Sequence, residues 1–367
     1  MPLLPSPRKR VLIVEDSLVI REFLSALIGS DPRLEVVGAV ASGEEALRTL
    51  QKTRPDVITM DIRLPGMSGL ETTQRIMTER PTPIIVVAAS VQSEDLNISM
   101  NALRAGALGV IEKPVGFRHQ DYAAVSEKLC TQLYLMSEVR CIRQTQSREL
   151  STPSTASRPA ASANSSAPRR PAHTLTYRMI GIVASTGGPN AVVKVLTALG
   201  PGFPLPIALV QHITASFLPG FVSWLDDTCP QKVVVAEQGQ TLQPGHVYVA
   251  PAERHLTINS DLTVRLTEGP LVSVQRPSGT VLFESMARAL GRHSIGVLLT
   301  GMGDDGARGL AALYDAGAFT IAEAESTAVV YGMPAAAVKL GAVSEILPVD
   351  LIGERLVTLS GRSNSVA

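Results

Sequence analysis

The chain has 367 residues, 45% of them apolar, 18% charged and 4% aromatic, which suffices for two or three cores built mainly from aliphatic side chains. Its 33 basic and 33 acidic residues balance, and this argues against nucleic acid or an anionic membrane as the partner. Cys130, Cys141 and Cys229 have neither a paired metal spacing nor the count of a disulfide framework, as suits a reducing cytosol.

The longest apolar runs, IIVVAA and IGVLL, have strand length and are too short to span a bilayer. The opening MPLLPSPRKRVLIVED has no apolar stretch of signal-peptide type. A soluble cytoplasmic protein without membrane insertion is expected.

In chain order, VLIVED, VVGAV, DVITMD, PIIVVAAS and GVIEKP read as strands. REFLSALIGSD, GEEALRTLQKTR, LETTQRIMTER, LNISMNALRAG and YAAVSEKLCTQLYLMSEV read as the helices that follow them. Five such β/α units with unbroken apolar strands predict a doubly wound parallel sheet. The segment SRELSTPSTASRPAASANSSAPRRPAHT is dominated by Ser, Ala, Pro, Thr and Arg and has too little apolar surface to fold, so it reads as a flexible linker.

Alternation resumes with MIGIVAS, NAVVKVLTALG, PIALVQH, FLPGFVSWLDD and VVVAEQG. A strand-rich patch, HVYVAP, HLTINS and LTVRLTE, carries Gly and Asp turns that suggest antiparallel pairs. VLFESMARALG, SIGVLLT, ARGLAALYDAG, FTIAEA, MPAAAVKLG and a last short strand complete a second doubly wound α/β domain with a β insertion.

Ligands of open α/β sheets bind beyond the carboxyl ends of the strands. There the first half places Glu15, Asp16, Asp61 and Lys113. Three convergent carboxylates repel unless a cation joins them, and hard oxygen ligands suit Mg²⁺; a carboxylate beside that metal can attack a phosphoryl group. VLIVEDS, ITMDIRLPGMSGLE and IEKP resemble a response-regulator receiver domain over residues 9–127, which implies a flavodoxin-like five-stranded sheet. The resemblance implies Asp61 as phospho-acceptor, Glu15 and Asp16 with Asp61 as Mg²⁺ ligands, and Lys113, before Pro114, as the phosphate contact. Two switch positions depart from the family: Ala88 stands where Ser or Thr is usual, with Ser90 nearby, and Val110 where an aromatic is usual.

In the second half, GIVASTGGPNAV places Ser185 after a strand and before a helix with Pro189 near its start. Three readings are open. In the first, Ser185 or Thr186 simply caps the helix. In the second, the glycine-bearing turn cradles a phosphate, although the next strand ends in Gln211 and His212 rather than the acid a dinucleotide fold wants. In the third, Ser185 is a nucleophile with His212 as base and Asp304 or Asp305 of GMGDDG as orienting acid, all at strand ends of one sheet edge. The chain order Ser–His–Asp and Val183 in place of the elbow's first glycine separate this pattern from ordinary α/β-hydrolases.

ASTGGP, QH, LQPGHVYVAP, QRPSGTVLFESMA, GVLLTGMGDDGARGL and VVYGMPAAAV together resemble the catalytic domain of the CheB chemotaxis protein-glutamate methylesterases over residues 176–362, with residues 128–175 as closing helix and linker. Departures are Val183, where glycine is usual, and Gly279-Thr280, where Val-Asp is common. The resemblance implies Ser185 as nucleophile, His212 as base and Asp305 as orienting acid, with Thr186 and Met302 supplying oxyanion N–H groups and no cofactor for the esterase. It further implies hydrolysis of glutamate γ-methyl esters, and deamidation of glutamines, on methyl-accepting chemoreceptors. Control would come from a CheA-type histidine kinase acting on Asp61 of a receiver that covers the site. The competing expectation is a response regulator whose α/β output domain binds a partner without catalysis; a DNA-binding output lacks a basic helix.

Overall fold

Strands with no polar face need cover on both sides, and the VLIV of β1 (Lys9–Val14) is buried throughout. In the computed structural model, residues 7–88, 101–103, 105–113, 122–139 and 176–361 are described. β1, β2 (Leu34–Val40), β3 (Val57–Met60), β4 (Ile84–Ala88) and β5 (Gly109–Glu112) form a parallel sheet in the order β2-β1-β3-β4-β5. Helices α1 (Leu18–Gly29), α2 (Gly43–Thr53), α3 (Gly69–Glu79) and α4 (Tyr122–Met136) accompany it. Ser42 and Ser68 cap α2 and α3 by accepting the N–H of Glu45 and Glu71. The chain leaves β1 first toward β2 and then toward β3, so the switch point lies between β1 and β3.

The second sheet joins β6 (Met179–Ala184), β7 (Ile207–Gln211), β8 (Lys232–Val235), β9 (His246–Val249), β12 (Ser294–Leu298), β13 (Phe319–Glu323) and β14 (Glu345–Leu347). Its order is β14-β13-β12-β6-β7-β9-β8, and every pair is parallel. Here the switch point falls between β6 and β12. Around the sheet lie α5 (Gly188–Leu199), α6 (Leu218–Thr228), α7 (Gly279–Leu290), α8 (Ala307–Asp315), α9 (Met333–Lys339) and α10 (Val349–Leu359).

Two expectations change. The predicted antiparallel patch holds one antiparallel pair, β10 (His255–Ile258) with β11 (Val264–Thr267), while HVYV becomes β9, parallel inside the main sheet. Its Val247, Tyr248 and Val249 are all buried, which an inner strand requires. Helix α10 was not foreseen beyond the last strand, although Val349, Ile352, Leu356 and Val357 follow helical spacing and are buried. Most of the predicted helix LNISMNALRAG, Ser90, Pro114 and the linker segment 140–175 lie outside the described residues. Among the described residues, no helix is long and apolar enough to cross a membrane.

Candidate active site

At the first switch point the loop after β1 carries Glu15 and Asp16, and the loop after β3 carries Asp61. Ligand oxygens of the three lie within 4.8 Å of one another. Glu15 and Asp61 are buried and Asp16 is exposed. Lys113, after β5, reaches in with Nζ 2.8 Å from Asp61 Oδ2 and 2.9 Å from Glu15 Oε2. Burial first, and then the charge of Asp61, raises the carboxyl of Glu15 above its ordinary value despite the lysine. Burial likewise raises Asp61. Burial works against the Lys113 ammonium, but hydrogen bonds and charge from Asp61 and Glu15 outweigh it and raise its pKa. Oxygen donors at this spacing, with a surplus of negative charge, fit a hard divalent cation.

At the second switch point Ser185 directly follows β6, His212 follows β7, and Asp305 lies in the loop after β12. His212 Nε2 is 2.9 Å from Asp305 Oδ2, and both side chains are nearly buried. Asp304 is exposed and Asp305 buried, which distinguishes the two acids left open by residue pattern alone. With Nε2 engaged, His212 retains Nδ1, buried and without a hydrogen-bond partner among the described residues. Ser185, Thr186, His212 and Met302 line one cleft of about 510 Å³.

Asp305 is held by more than the histidine. Its Oδ1 accepts Ser278 Oγ–H at 2.6 Å and Thr280 N–H at 3.1 Å, and its Oδ2 accepts Gly279 N–H at 2.7 Å. These donors form the first turn of α7, where unsatisfied N–H groups favour an anion. Burial alone would raise the carboxyl, but His212, Ser278 and Gly279 overcome it and hold the pKa at about 2. His255 extends the support, since its Nδ1 accepts Ser278 N–H at 3.2 Å. Gln211 ties nucleophile to base: its Nε2 donates to the carbonyls of Ser185, at 2.9 Å, and His212, at 3.2 Å.

Ser278, His255 and Gln211 were not foreseen as site residues. The SGT before an apolar helical run is a helix-start signal, but which acid it serves depends on tertiary contact. The two unusual positions, Val183 and Gly279, face each other: a Cβ on Gly279 would stand 2.3 Å from Val183 Cγ1. The absence of a side chain at Gly279 thus leaves the space that the Val183 side chain occupies.

The cleft has a second wall, from the first domain. Gly109, Val110 and Gln132 line it together with Ser185 and His212. Asn190 Nδ2 donates to the Leu103 carbonyl at 3.1 Å, and Ser216 Oγ donates to Glu112 Oε2 at 3.2 Å. Val329 and Val330 pack against the apolar cluster of the first sheet.

Residues 180–356 match the CheB methylesterase family and residues 11–121 the response regulator receiver domain. A protein-glutamate methylesterase/protein-glutamine glutaminase of Paramagnetospirillum magneticum is 55% identical over 96% of this chain and 97% of its own. The chain belongs to the CheB methylesterase family. A second relative of that description, from Syntrophus aciditrophicus, is 44% identical over 96% of this chain and 98% of its own. The solved catalytic domain of Thermotoga maritima CheB methylesterase is 33% identical, covering 50% of this chain and 99% of that one, with a TM-score of 0.49. This chain thus carries a receiver domain followed by a CheB methylesterase domain.

Proposed function

We propose that this CheB-family chain hydrolyses γ-methyl esters of glutamate side chains, and deamidates glutamines, on methyl-accepting chemoreceptors in the cytoplasm. The observation that carries the reading is the His212–Asp305 pair at the switch point where Ser185 leaves β6. Asp305 accepts the Nε2 proton and fixes the tautomer, which leaves the Nδ1 lone pair to take the Ser185 proton. Ser185 Oγ then attacks the ester carbonyl, and the C–O bond to methanol breaks as His212 returns the proton to the leaving oxygen. Water, deprotonated by His212, releases the glutamate carboxylate from the acyl-serine. With a glutamine the same steps expel ammonia. N–H groups of Thr186 and Met302 are the proposed oxyanion donors, each worth roughly 3–4 kcal/mol on the barrier.

In the receiver, Asp61 is the proposed phospho-acceptor, and a CheA-type histidine kinase the proposed donor. Glu15, Asp16 and Asp61 would hold Mg²⁺, whose charge offsets that of an incoming phosphoryl group, and Lys113 would pair with the phosphate. Gly109, Val110 and Gln132 facing the cleft support a receiver that restricts substrate access until Asp61 is modified. The esterase steps call on no cofactor.

The test is methanol release from methylated receptor membranes by the full chain, with and without acetyl phosphate. We expect the phosphodonor to raise the rate severalfold, and Asp61→Asn to abolish that response. A receptor-binding chain with no turnover under either condition would instead favour the non-catalytic output domain.

A further inference from the structure

Glu323 ends β13 and is 1% exposed, yet its hydrogen bonds come from neutral donors. Thr300 N–H reaches Oε2 at 2.8 Å and Thr327 Oγ1 reaches Oε1 at 3.1 Å. Burial raises this carboxyl above its ordinary range. An acid kept in such a place is costly to the fold, and it stands at the sheet edge where Ser185, His212 and Asp305 converge.

Thr300 explains what the acid touches. The Thr300 carbonyl accepts Ser185 N–H at 3.0 Å. Its hydroxyl donates to the Thr186 carbonyl at 2.9 Å and accepts Val330 N–H at 2.9 Å. One residue on, Gly301 is so close to the nucleophile that a Cβ there would stand 2.7 Å from Ser185 Cβ. Met302 follows. Thr300 is therefore the node between the turn carrying Ser185 and Thr186 and the turn carrying Met302, and Glu323 grips it through its backbone N–H. Thr327, the second partner, also accepts Val349 N–H at 3.0 Å, which anchors the acid to the start of α10.

We infer that Glu323 is a positioning residue for the esterase reaction: through Thr300 it fixes the distance between Ser185 and the oxyanion donors flanking it. The inference rests on the reading of Ser185 as nucleophile. It assigns the side chain of Glu323 an acceptor function rather than a charge. Glu323→Gln would keep the Thr300 bond through the amide carbonyl and offer the amide nitrogen to Thr327. Glu323→Leu removes the acceptor, and Glu323→Asp, one methylene shorter, falls short of Thr300.

The test measures kcat and KM for methanol release by the full chain on methylated receptor membranes with acetyl phosphate. A displacement near 1 Å in a reacting constellation can cost about 100-fold, so Glu323→Leu and Glu323→Asp are expected to lower kcat by roughly 10- to 100-fold with KM nearly unchanged. Glu323→Gln is expected to retain kcat within about threefold, as an acceptor that still makes its bond should. If Glu323→Leu does not fold, the Asp and Gln variants carry the comparison. Wild-type kcat in Glu323→Asp, a Gln variant as impaired as the Asp variant, or a loss confined to KM would each overturn the inference. Ser185→Ala runs alongside: if it turns over normally the catalytic reading itself fails, whereas if it is inactive while every Glu323 variant is wild-type, the role of Glu323 alone falls.

Discussion

The two switch points use the same architecture to opposite electrostatic ends. Around Asp305 the fold supplies four donors to one carboxylate, from His212, Ser278, Gly279 and Thr280, and the acid is settled at about 2. Around Asp61 it supplies Lys113 to two buried acids and leaves both raised. The first site is complete around its acid, while Nδ1 of His212 there has no hydrogen-bond partner among the described residues. The second is short of positive charge, so binding a cation or gaining and losing a phosphoryl group changes its energy. That imbalance suits a switch.

The largest losses are expected around Ser185, His212 and Asp305. Ser185→Ala is expected to reduce methanol release by roughly 10⁴-fold or more, measured on receptor membranes, because it removes the hydroxyl on which the acyl intermediate would form. Asp305→Asn is expected to cost roughly 10³- to 10⁴-fold in kcat, since the amide cannot stabilise the imidazolium that forms during transfer.

Asp305 also makes a claim about pH. Its folded pKa lies below the unfolded value, so its contribution to stability is full above the unfolded pKa and is lost as pH falls toward about 2. The drop from 3.8 to about 2 corresponds to roughly 2 kcal/mol. Urea unfolding across acid pH should show that loss in the wild type and a flatter profile in Asp305→Asn.

A packing test sharpens how the complete site is held. Gly279→Val alone forces a side chain into Val183 and should cost about 1–3 kcal/mol. Val183→Gly alone leaves a cavity and should cost about 2–3 kcal/mol. The double variant restores one valine between the two positions, so its loss should fall short of the sum of the two single losses by about 2 kcal/mol in a double-mutant cycle. Additive losses would mean that the two positions do not compensate.

The smallest effect is expected at the incomplete site. Raised carboxyls in the folded receiver destabilise it as they ionise, so stability there rises as pH falls through their folded values. Asp61→Asn should therefore raise the receiver's melting temperature by a few degrees without metal and lessen the shift produced by Mg²⁺, an effect of about 1 kcal/mol. Scanning calorimetry with and without Mg²⁺ reads both.

The sequence made the strand ends legible because buried parallel strands are continuous apolar runs, and the residue after each run is placed by the sheet itself. Ser185, His212 and Asp61 each directly follow such a strand. What sequence could not order was anything fixed by contacts across distant segments. Choosing Asp305 over Asp304 needed either family pattern or the sight of one acid buried under α7 and the other in solvent. The support from Ser278, His255 and Gln211 spans 26 residues or more from the partner in the Gln211–Ser185 and Ser278–Asp305 bonds, and no local spacing encodes it. β9 was misassigned for a related reason: its glycine turn looks like a hairpin, but burial on both faces decides its place.

The proposed function makes Ser185 the nucleophile of a cleft whose access the receiver controls. Fluorophosphonate labelling followed by peptide mass spectrometry tests both parts in one measurement on the full chain, with and without acetyl phosphate. The expected result is a single adduct, on Ser185, forming severalfold faster with the phosphodonor and at the basal rate in Asp61→Asn. An adduct on another residue would contradict the catalytic assignment, and a Ser185 adduct forming at one rate throughout would contradict the control.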